Sequence, residues 1–172
     1  MAVIVVSDTS VLSGLAIAEY LSLLQQLYGR VFVPPAVMDE LRRGSEDDSR
    51  ITAVLFLDWI EVSLPRDLQR VETLQRDRNL DRGESEAIVL ALELQAEELL
   101  IDERLGRREA VRLGLSVTGL LGVLLVAKSR GWIAAIRPIV DTLIDQASFR
   151  VSDRLYAEVL AAAGETLNPN NL

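Results

Sequence analysis

The stretch "GESEAIVLALELQAEELLIDERLGRREAVRLGL", residues 83–115, switches between two periodicities. Apolar residues recur at helical spacing over 83–95. "ELLI" (98–101) is then a run of strand length, aliphatic after Glu98, and helical spacing returns over 103–113, with Gly114 as its stop. A strand at 115–117 and a helix over 119–130, stopped at Gly131, continue the alternation. A short, fully apolar strand between two helices marks a parallel sheet buried on both faces, joined by right-handed crossovers.

The rest of the chain repeats this pattern. "AVIVV" (2–6) is a second unbroken aliphatic strand, and residues 10–28 read as two helices broken near Ala18 and Glu19. "VFV" (31–33) ends at Pro34 and Pro35, and Pro35 suits the first position of a helix that Gly44 is expected to stop. A helix near 46–57, a strand "WIEVS" (59–63) and helices at 65–78, 137–147 and 153–163 complete the reading. The expected fold is α/β: three layers, with a central parallel sheet flanked by helices. We expect one domain over 1–165, with helices 137–163 of unassigned role, and a polar tail, "TLNPNNL", over 166–172.

Composition removes several chemistries. The chain has no cysteine and no histidine, so disulfides, thiolate sites, imidazole bases and the usual zinc ligands are all excluded. Absence of cysteine fits a reducing, cytoplasmic setting. No signal peptide is recognised, and the longest apolar run, "LLGVLLVA" (120–127), is too short to span a bilayer, so no membrane partner is expected. A net charge of −8 argues against holding nucleic acid by bulk positive charge, though a metal ion would supply positive charge locally.

Carboxylates follow the strands. Asp8 lies just past the first strand and Asp102 just past "ELLI"; two acids at carboxyl ends of parallel strands face one sheet edge. Glu40 lies on the helix after the second strand, and Glu84 and Glu86 open the helix at 83. Pooled acids without His or Cys call for a hard divalent cation, Mg²⁺ or Mn²⁺. Each acid has a plainer explanation. Asp8 and Asp102 could cap the helices that follow them, and Glu40 could be a solvated helix residue. Asp81 and Glu84 have the spacing of a capping box, which leaves Glu86 unexplained.

These segments, "VVSDTSVL", "VPPAVMDELRRG", the stretch 83–115 and "VTGLLGVLLVAKSRGWI", occur in the order of the PIN domain, the ribonuclease domain of VapC-type toxins. The sequence resembles that family over roughly 2–133, in a prokaryotic branch that is largely uncharacterised. The resemblance implies a metal-dependent endoribonuclease with an acidic Mg²⁺ or Mn²⁺ site. By motif position it assigns Asp8, Glu40, Glu86 and Asp102, with Glu84 a competitor of Glu86 as metal ligand. Thr9 and Ser10 match small hydroxyl positions beside the first aspartate. It further implies an RNA substrate, a homodimer, and an antitoxin that places an arginine among the carboxylates.

Arg104, Arg107, Arg108 and Arg112 share one helical face directly after Asp102. They could hold RNA phosphates, or pair with Glu103 and Glu109 on a solvated surface. Three rivals are weighed. A dehalogenase-type phosphatase wants a second aspartate where Ser10 stands, and a receiver domain wants paired acids beside Asp8. The third is a degenerate PIN domain acting as a protein- or RNA-binding module.

Overall fold

Five short aliphatic runs form one sheet in the computed structural model, which describes residues 3–165. The tail expected over 166–172 lies outside the described residues. The strands are β1 (Val5–Ser7), β2 (Val31–Val33), β3 (Ile60–Val62), β4 (Glu98–Leu100) and β5 (Val117–Thr118). Their spatial order is β3-β2-β1-β4-β5, and every pair is parallel.

Parallel strands with polar flanks cannot leave a face to water, and here side chains alternate between two apolar layers. Val5, Val31, Val33 and Leu100 join one buried group; Val6, Leu99 and Ile101 join the other. The first layer is built by α1 (Thr9–Ile17), α2 (Ser22–Tyr28), α3 (Pro35–Asp47), a 3₁₀ helix (Ser49–Phe56), α7 (Leu120–Ser129), α8 (Arg137–Gln146) and α9 (Asp153–Ala162). The second is built by α4 (Leu68–Arg78), α5 (Arg82–Glu93) and α6 (Arg104–Arg112). The fold is thus the three-layer α/β arrangement that the alternation predicts.

The helix break expected near Ala18 and Glu19 is real: Glu19 has φ +64. Gly114 and Gly131, at φ +87 and +73, end their helices in conformations that suit glycine. Gly44 behaves differently from expectation. It lies inside α3, which continues to Asp47, and a Cβ there would sit 3.3 Å from Ile51 Cδ1. Its smallness lets the following segment pack close, rather than stopping the helix. Asp48 provides the stop, leaving helical geometry and accepting a bond from the Arg50 N–H at 3.0 Å. The segment expected as a helix near 46–57 is therefore a tight 3₁₀ helix.

Helices α8 and α9 share the first layer with the rest of the domain. Leu143, fully buried on α8, and Leu120 on α7 both border Gly14 of α1, where a Cβ would lie 3.4 Å from Leu143 Cδ2. Leu143→Ala should lower unfolding free energy by about 2–5 kcal/mol in urea melts. The loss should appear in one transition by circular dichroism and tryptophan fluorescence. A separate early phase would show that α8 unfolds independently.

Candidate functional site

Strand order reverses between β1 and β4, and open α/β sheets form clefts at the carboxyl ends of strands where this happens. Asp8 follows β1 directly, and its N–H donates to the Leu100 carbonyl of β4 at 2.8 Å. Its side chain is 4 % exposed. By backbone geometry Asp8 is the residue that precedes α1, yet its carboxylate makes no cap bond to that helix. Helix capping therefore does not account for it.

Glu40, on α3, reaches the same region, where the Thr9 hydroxyl donates to its Oε2 in a short hydrogen bond. The Gly83 N–H also steadies Glu40. A Cβ at Gly83 would fall well inside contact distance of the Glu40 carboxylate, so only glycine lets α5 approach that closely. Glu84, next in the chain, completes the capping box: Asp81 accepts from the Glu84 N–H at 2.8 Å, and the Asp81 N–H donates to Glu84 Oε2 at 3.1 Å. The cap leaves the other oxygen of Glu84 free of it: Oε1 faces Gly106 of α6 across a gap that a Cβ would reduce to 3.1 Å.

The electrostatics tie these acids together. Burial raises the Asp8 pKa well above the carboxylate range; the Thr9 N–H partly offsets this, and the charges of Glu84, Glu40 and Asp81 push it further up. Burial raises Glu40 as well, against the bond from Thr9. Glu84 is pushed up to about 7, chiefly by burial, with Asp81, Glu103 and Glu40 adding repulsion. Among the described ion pairs, none involves Asp8, Glu40, Asp81 or Glu84.

Glu86 lies elsewhere. Its Oε2 accepts the Ala36 N–H at 2.9 Å, and its Oε1 accepts from Arg82 Nε at 2.8 Å. Helix α3 begins with Pro34 and Pro35, which offer neither a capping side chain nor an N–H, so Ala36 carries the first open donor. A carboxylate from a neighbouring helix satisfies it. Asp102 has a comparable duty: both its oxygens accept the Leu120 N–H at 3.2 Å, because Gly119, which precedes α7, has no side chain for the purpose. A Cβ at Gly119 would collide with Asp102. Burial lifts Asp102 to about 6, while the Leu120 N–H and Arg107 pull it down and Glu103 adds repulsion.

Asp8, Glu40 and Glu84 are thus brought together, with Asp102 at the end of the adjacent strand. Asp81 and Glu103 were not anticipated as part of the electrostatic environment. Three glycines, Gly83, Gly106 and Gly119, lie against Glu40, Glu84 and Asp102 in turn. A glycine inside or at the start of a predicted helix, near an acid, is the signal that could have revealed this. The Ser10 and Ser85 hydroxyl oxygens are buried without a hydrogen-bond partner. Of the four arginines on α6, Arg112 is bonded to Glu109 and Arg107 donates to the Ile101 carbonyl at 2.8 Å; Arg104 and Arg108 are exposed.

The family described as "DUF3368: PIN domain" matches residues 4–165. The chain belongs to the PIN-domain family. PIN domains are generally nucleases, which gives this one nuclease-type activity on a nucleic-acid substrate. Among solved structures, that of PAE2754 from Pyrobaculum aerophilum is similar over 66 % of this chain and 98 % of that one, at 17 % identity and a TM-score of 0.48. No curated protein matches the sequence. Among the described residues no helix is long and apolar enough to cross a membrane.

PIN nucleases typically use divalent metals. Among the described residues no three acids are arranged around one point as a ready-made metal cage. The donor chemistry nevertheless fits Mg²⁺ or Mn²⁺: carboxylate oxygens that take part in none of the described ion pairs, glycine cradles against three acids, and two orphaned hydroxyls nearby in sequence. Mg²⁺ commonly keeps several waters and takes only one or two carboxylates directly.

The raised pKa values have a signed consequence. In metal-free protein the folded state binds more protons than the unfolded one between about pH 4 and the Glu84 value of about 7, so these acids destabilise the fold increasingly as pH rises through that window. Glu84→Gln should leave Tm almost unchanged at pH 4 and raise it relative to wild type at pH 8, measured with a chelator present. A difference that does not vary with pH would contradict this.

Proposed function

We propose that this PIN domain is a Mg²⁺- or Mn²⁺-dependent endoribonuclease, the toxin component of a toxin–antitoxin pair. The carrying observation is the set of carboxylates at the sheet's switch point, Asp8 and Glu84 buried and Glu40 half-buried, with no arginine or lysine bonded to them in the described ion pairs. Such a set is complete only with a cation, and either a metal ion or an antitoxin arginine supplies one. Asp8, Glu40, Glu84 and Asp102 would hold the metal. When bound, it lowers the pKa of a coordinated water and stabilises charge on a phosphodiester undergoing attack.

The remaining work falls to the chain. Thr9 fixes the orientation of Glu40, and the Asp81 N–H anchors one oxygen of Glu84 while the other is left for the site. Asp102 joins the site to the start of α7, so a change at that carboxylate would also disturb a helix. Glu86 supports the site from outside by holding the start of α3, the helix that carries Glu40. A homodimer in the cytoplasm belongs to the same reading, supported by the family's habits and by the lack of cysteine.

Cleavage of a mixed structured RNA should require Mn²⁺ or Mg²⁺ and stop with EDTA. Asp8→Asn and Glu84→Gln should each lower the rate at least about 100-fold. Glu86→Gln should keep the rate within about tenfold and instead lower stability by about 1–3 kcal/mol, since a buried N–H loses its ionised acceptor. Added Mn²⁺ should raise Tm at pH 8 in wild type and much less in Asp8→Asn. Folded protein that cuts nothing with either metal would move the binding-module reading ahead.

A further inference from the structure

A second feature lies on the far side of α6. A cleft of about 570 Å³ runs between this helix and the end of α4, and three arginines line it: Arg78, Arg108 and Arg112. Within a chain of net charge −8, that is a local concentration of guanidinium groups. The acids beside them are already committed. Glu109, 6 % exposed, accepts two bonds from Arg112 Nε at 3.0 Å and a short one from its terminal nitrogen, and lies 3.6 Å from Arg78 Nε. Asp77 is paired with Arg76 at 2.8 Å. Glu109 thereby acts as an internal brace for two arginines, Arg112 and Arg78, that both line the cleft.

The cleft shares helix α6 with the acid site. Asn79, on its wall, ends α4 in a left-handed turn two residues before Asp81. Helix α6 lies against Glu84 through Gly106 and lines the cleft through Leu105 and Arg108. Leu105 is 50 % exposed, an apolar surface among fixed cations. We propose that this cleft binds the phosphate backbone of single-stranded RNA flanking the bond to be cut, with Arg78, Arg108 and Arg112 as its phosphate ligands. Planar guanidiniums ordered by a carboxylate are preorganised for paired bonds to phosphate oxygens. A single strand, unlike a duplex, can bend from a surface cleft to carboxylates as buried as Asp8.

This inference deepens the nuclease reading and rests on it for the substrate class. The test uses the full chain carrying Asp8→Asn, so that binding is measured without cleavage, and a fluorescent single-stranded RNA read by anisotropy across a salt series. Arg108→Glu and Leu105→Asp alter exposed positions and leave the Glu109 brace intact; their Tm values should match the parent. Each should weaken binding roughly tenfold regardless of RNA sequence, and Arg108→Glu should reduce the salt slope by at least about one. Arg150→Glu, on an exposed residue outside the cleft, should change nothing beyond a small non-specific loss.

Unchanged RNA affinity in Arg108→Glu and Leu105→Asp would overturn the proposal, and if wild type still cuts RNA the nuclease reading survives. Affinity lost in both variants while wild type cuts nothing would support the cleft and overturn the nuclease reading. Binding of a fluorescent poly-glutamate peptide, with no measurable binding of the RNA, would overturn the proposal in favour of an acidic protein partner.

Discussion

Buried negative charge without a matching positive one is the constraint around which this molecule is arranged. The sheet places Asp8 where β1 meets β4, and α3 and α5 bring Glu40 and Glu84 against it. Carboxylates so placed repel one another and resist ionisation, which costs stability at neutral pH. The fold holds them with ordinary means: one threonine hydroxyl, three backbone N–H groups and glycines that open room for the acids. An arrangement that is unfavourable in the isolated chain becomes favourable when a cation binds, which is how a binding site stores affinity in its free state.

A second use of acids runs through the structure and explains why so acidic a chain need not be acidic for function alone. Helices α3, α7 and α8 start at Pro34, Gly119 and Ile136, none of which offers a capping side chain. Each takes a carboxylate from elsewhere: Glu86 for α3, Asp102 for α7 and Glu165 for α8, the last accepting N–H groups of Ile136 and Arg137. Glu93 does the same for the turn that leads into α4. Helix starts carry partial positive charge, which compensates these acids, Asp102 of the proposed site among them. Burial alone does not separate the two uses of acids, since Glu84 and Glu86 are almost equally buried.

The fold was legible because its signals are local. Aliphatic runs such as "AVIVV" and "ELLI" can satisfy themselves only between two apolar layers, and the intervening periodicity permits little except helices. Boundaries failed where a residue served a neighbour rather than its own element: Gly44 makes room for Ile51, which no reading of α3 alone could show. At the site, the sequence by itself determined that Asp8 and Asp102 end strands and that Asp81 and Glu84 form a capping box, because each depends on bonds within a few residues. Only the tertiary structure shows that Glu84 adds its charge to Asp8 while Glu86 binds the start of α3. Two residues apart on a helix, they point nearly opposite ways, and α5 is buried on both of those sides. Which side meets α6 and which meets the start of α3 is set by how the layers pack, and periodicity carries no record of that.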